Sequence, residues 1–60
     1  MQSIAVVKTQ GLYQVLGYNE GVISVLFESK SEDKCDDFAD EYAIANDMYY
    51  SHSEKAYFLK

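Results

Sequence analysis

Carboxylates are the chemically active groups this sequence holds in excess, and they are clustered. Glu32, Asp33, Asp36, Asp37, Asp40, Glu41 and Asp47 fall in one short stretch, answered there by a single lysine, Lys34. Carboxylates at close spacing can trade a proton, hold a hard cation or present negative charge to a partner. A calcium loop needs an Asp-x-Asp-x-Asp-Gly wrap that is missing here, and carboxylates along a rigid helix converge poorly on one ion. An acid and base pair for sugar hydrolysis needs a cleft that so short a chain does not offer. What remains is recognition of something positively charged.

The other reactive side chains point the same way. Cys35 is the only cysteine, which excludes a disulfide framework and the usual zinc sites. A nucleophilic or redox thiol needs nearby positive charge or a base, whereas Asp36 and Asp37 follow Cys35 directly, so it is expected in the core. His52 stands alone in a serine-flanked turn, with no second histidine for a metal and no serine-histidine-acid arrangement. There is no glycine-rich phosphate loop. The expectation is a protein that is not an enzyme and that uses no cofactor or metal.

Ten acidic residues against five lysines, without arginine, give a formal charge of −5. Direct binding to nucleic acid or to an anionic membrane is disfavoured. Six tyrosines could stack on bases, but stacking platforms work beside a positive groove; here they read as core-edge and interface residues. No apolar run approaches a membrane span, and Met1-Gln2-Ser3-Ile4 lacks the basic region of a secretory leader. A cytoplasmic protein, in the host cell if phage-encoded, is expected. Met1 and the end at Lys60 read as a complete short frame forming one small α+β domain over residues 1–60. At this length folding is marginal, and oligomerisation is the available reinforcement.

The carboxylates must be positioned by a helix. Beyond Phe27 the apolar period changes from 2 to 3.6, and Ser29 with Glu32 matches a capping box, Ser31 being an alternative cap. A helix is predicted from about Ser31 to Asp47. At 100° per residue, Cys35, Phe38, Ala39, Tyr42, Ala45 and Tyr49 form the docking stripe. The partner-binding face opposite is predicted to carry Asp33, Asp36, Asp37, Asp40, Glu41 and Asp47, with Ile44 as an exposed apolar anchor. Asp36/Asp40 and Asp37/Glu41 repel at spacing four, so the sequence keeps locally unfavourable charges.

The helix in turn needs a platform. Thr9-Gln10-Gly11 and Asn19-Glu20-Gly21 each put glycine third, the pattern of three-residue hairpin loops. Strands at about Gln2–Lys8, Leu12–Tyr18 and Val22–Glu28 follow, in an antiparallel meander with Lys8 facing Leu12 and Tyr18 facing Val22. The predicted architecture is β-β-β-α, one amphipathic helix packed on a three-stranded antiparallel sheet. In the tail, Ser51-His52-Ser53 reads as a turn and Lys55–Leu59 as a short fourth strand, preferred to a helical extension.

Both faces of that sheet are apolar, and one helix covers only one of them. The predicted free face carries Ile4, Val6, Leu16, Val22 and Leu26, buried by a second copy, by a target or by the folded-back tail. Two functions are therefore expected in competition. One is a binder that inhibits or modulates a basic, nucleic-acid-handling protein through its carboxylate-lined helix, in nucleic-acid mimicry: steps of ~4.5–6 Å between carboxylates lie near the phosphate spacing along a strand. The other is a homodimeric interaction module working through the sheet face. In size and charge, though in no motif, the chain is similar to small acidic accessory proteins of phages and other mobile elements, which commonly block host nucleases, polymerases or defence complexes.

Overall fold

The computed structural model describes residues 2–60; Met1 lies outside them. Strands β1 (Gln2–Thr9), β2 (Leu12–Asn19) and β3 (Val22–Ser29) form the expected meander, followed by α1 (Glu32–Ala45) and a C-terminal hairpin of β4 (Met48–Ser51) and β5 (Ala56–Leu59). All five strands join one sheet in the order β3-β2-β1-β5-β4, every pairing antiparallel. The tail thus supplies two strands where one was expected. It widens the sheet and leaves the second face uncovered.

The connections between β1, β2 and β3 differ from prediction by one residue, and the difference reorients the sheet. Thr9 pairs with Leu12 and Asn19 with Val22, so each loop holds two residues. Gln10 and Gly11 have φ of 43° and 83°, Glu20 and Gly21 52° and 85°. Positive φ at both central positions is the type I′ geometry, whose twist matches that of the strands. Because side chains alternate with period two, the changed pairing sets Ile4 and Val6 beside Val15 and Tyr13, where Ala5 and Val7 were expected.

A bulge completes the rearrangement. Val15 pairs with Phe27 but Leu16 with Val25, which leaves Leu26 as the extra residue on β3. A bulge lets two successive side chains reach one face, and both Leu26 and Phe27 pack against the core. Gly17 makes room: a Cβ there would stand 3.0 Å from Leu26 Cδ1.

Helix α1 starts at Ser31, whose Oγ accepts from the Lys34 amide at 3.5 Å, while Ser29 Oγ accepts from the Ser31 amide. The alternative cap is therefore the one used. The helix stops at Ala45, two residues short of prediction, because Asn46 caps it and Asp47 turns the chain at φ 57°. Asn and Asp tolerate this left-handed conformation better than most side chains. Asn46 Nδ2 donates to the Tyr42 carbonyl at 2.8 Å, occupying one of the end carbonyls.

The buried residues are Ile4, Val15, Cys35, Ala39, Ala43 and Met48. Cys35, Ala39 and Ala43 follow at spacing four, so the helix meets the sheet along a line of small side chains. Ala43 takes the place expected of Ala45, which is exposed. On the β3 side, Phe38 stacks on Phe27 with centroids 4.8 Å apart, and Tyr42 continues the stack. Tyr49, expected on the helical stripe, sits exposed on β4 against Phe58.

Candidate functional site

Docking through Cys35, Ala39 and Ala43 fixes where every helical carboxylate points. Asp33, Asp37, Glu41 and Ile44 occupy the outward face, all exposed, with Ile44 at 82% the most exposed large apolar residue. Glu32, Asp36 and Asp40 lie on the flank, lining a groove with Val6, Tyr50, Lys55 and Tyr57. The predicted acidic face is thus two adjoining rows. Asp47 belongs to neither, since it has left the helix and forms an ion pair with Lys60 at 3.6 Å.

Among the described residues that is the only ion pair within 4 Å, so Asp33, Asp37 and Glu41 of the outward row are unpaired, as are Glu32, Asp36 and Asp40 at that distance, with Lys55 in their groove. Glu32 and Asp33 sit in the first turn and favour the helix dipole, but no basic residue occupies the last turn to complement its negative end. Asp37 and Glu41 gain nothing from the dipole and are repelled along the helix. Asp40 differs in accepting a hydrogen bond from the Tyr57 hydroxyl. Burial of Tyr57, this bond and the Asp40 charge together push the phenol well above its ordinary pKa, so Tyr57 stays a donor. Among the described residues no three His, Cys, Asp or Glu side chains converge as metal ligands.

Cys35 is fully buried, and its thiol donates to the Tyr13 carbonyl at 3.4 Å. Burial pushes its pKa up, and the Asp36 charge adds to the shift. Thiolate chemistry is suppressed. Iodoacetamide should label Cys35 no faster than the chain unfolds, with full labelling in denaturant; rapid labelling of the native protein would refute this burial. His52 lies exposed in the β4–β5 loop, edge-on to Tyr50.

The predicted sheet-face residues are the ones the structure redistributes. Ile4 is 1% exposed beneath the helix, and Val6 and Leu26 pack on the same core. Val22 is exposed at the end of that same side, beside Gln2 and Tyr42. Leu16 alone stands on the uncovered face. By the observed register its companions there are Ala5, Val7, Tyr18, Ile23, Val25 and Phe58. Of these, sequence reasoning placed Tyr18 beside Leu16 as observed, missed Ala5, Val7, Ile23 and Val25 through the loop length, and missed Phe58 because the pairing of the tail strand with β1 has no local signature.

No helix of the described residues is long and apolar enough to cross a membrane. Comparison with protein-family models, with curated proteins and with solved structures gives no match for this chain.

Proposed function

We propose that this protein acts by binding, without catalysis, and that its target is a basic surface on a nucleic-acid-handling protein, which it inhibits or modulates by presenting carboxylates in place of phosphates. The observation carrying this reading is the outward row Asp33, Asp37 and Glu41, exposed, without cationic partners and set beside the exposed Ile44. A row repeating every four residues advances ~6 Å per step, a regular negative ladder for Lys and Arg side chains. Ile44 gives the ladder an apolar anchor, the kind of residue that carries binding energy at the centre of a polar contact. A role as an accessory protein of a phage or other mobile element, acting in the cytoplasm of its host, accords with this acidity.

The test is capture from a lysate of the source cell on immobilised protein, eluted by a salt gradient. A basic nucleic-acid-handling protein should be retained at low salt, released as salt rises, and displaced by duplex DNA, because the contact is largely screened charge. Retention that ignores both salt and DNA would defeat the proposal.

A further inference from the structure

We infer that the uncovered face of the sheet is the seat of a second copy of this chain, giving a face-to-face homodimer with the two acidic helices on its outer sides. The contact would centre on Ala5, Leu16 and Val25, which lie in one row across β1, β2 and β3, with Ile23, Tyr18 and Phe58 around them. Ile23 and Val25 are 65% and 54% exposed in the single chain. Contiguous apolar surface of this extent marks an interaction site.

Charge selects the occupant. Of the acidic residues in strands and helix only Glu28 is on this face, at one end and hydrogen-bonded to Gln14 at 2.8 Å; the helical carboxylates are all on the opposite side. A basic partner would find only the terminal Glu28 to recognise here, whereas an identical, largely uncharged face is complementary to it by two-fold symmetry. Sheets stack ~10 Å apart and each helix adds a layer of ~10 Å, so the helix axes would lie roughly 30 Å from one another. At a Debye length of ~8 Å in physiological salt, the −5 charge of each copy barely opposes association.

Area agrees. Strands ~4.8 Å apart and ~3.3 Å per residue give a face of roughly 500 Å² in plan, more once side-chain relief is counted. Two such faces bury about 1,200 Å², where stable interfaces begin. The expected product is a dimer arranged as two stacked sheets.

Sedimentation equilibrium of the full chain over a wide concentration range, at low and high salt, tests this. A species of twice the 6.9 kDa chain mass should appear in both salts and be no weaker in the higher. Ala5→Lys, on the central strand β1 and so far from either sheet edge, should raise the dissociation constant by at least about a hundredfold by burying an unpaired ammonium. Val25→Lys should do the same with unchanged circular dichroism, its side chain being half exposed already. Ile44→Lys, on the helix, should leave the dimer intact. A monomer at every concentration overturns the inference, and so does a dimer that survives both Ala5→Lys and Val25→Lys. Neither result touches the helix-borne binding, which is read by salt-sensitive capture.

Discussion

Replacing Ile4 by alanine is expected to cost about 2–5 kcal/mol of stability, while the same change at Ile44 costs less than ~0.5 kcal/mol. The two residues are chemically identical and differ in what surrounds them. Ile4 is buried in one cluster with Val15 and the small-residue line Cys35, Ala39 and Ala43 of α1, so an alanine there removes packed atoms and leaves a cavity. Ile44 projects from the outward helix face and touches little. A domain of this size is held by roughly 3–9 kcal/mol in all, so Ile4→Ala should take much of the population out of the folded state, seen as a loss of cooperative melting by circular dichroism. If Ile4→Ala instead melted normally and lost self-association, the two sheet faces would have been assigned the wrong way round.

That last alternative is what the sequence by itself suggests, and the reason is local. Strand positions were legible because alternating Val, Ile, Leu and Tyr are bounded by Gly11 and Gly21, and the observed strands extend the predicted ones by one residue each. Loop length was not legible. Gln10 and Glu20 take left-handed φ without being Gly, Asn or Asp, so nothing in their identity announces that the turn already includes them. One residue of register then moves Ile4 and Val6 from the expected free face to the covered one. The bulge at Leu26 carries no glycine or proline of its own, and its one mark is Gly17 on the neighbouring strand.

On the helix, the 100° rule found Cys35, Phe38, Ala39 and Tyr42, which pack as expected. It missed Ala43 because Phe38, Tyr42 and Tyr49 drew the centre of the expected stripe toward Ala45, whereas the helix docks along Cys35, Ala39 and Ala43, the small residues that a close helix-sheet approach requires. Asn46-Asp47 was a readable stop signal that the apolar Met48 and the two tyrosines after it obscured. The outward placement of Asp33, Asp37, Glu41 and Ile44 followed from periodicity alone; the separation of Glu32, Asp36 and Asp40 into a flanking groove depends on β4 and β5, whose pairing is long-range and has no local signature.

The double substitution Asp37→Asn with Glu41→Gln is expected to stabilise the protein and weaken its binding together. It removes two like-charge contacts at spacing four, Asp33/Asp37 and Asp37/Glu41, each worth ~0.2–0.5 kcal/mol of repulsion, and it leaves Asp33 at the end of the helix where negative charge is favoured. Stability should rise by roughly 0.4–1 kcal/mol, a few degrees in melting temperature for a domain this small. The same change takes two carboxylates from the proposed contact at ~1 kcal/mol each, so affinity for the captured basic protein should fall roughly 30-fold. Opposite signs in one variant separate the two explanations of the acidic row, because charges kept only for solubility could be neutralised here with the melting temperature rising and the capture unchanged.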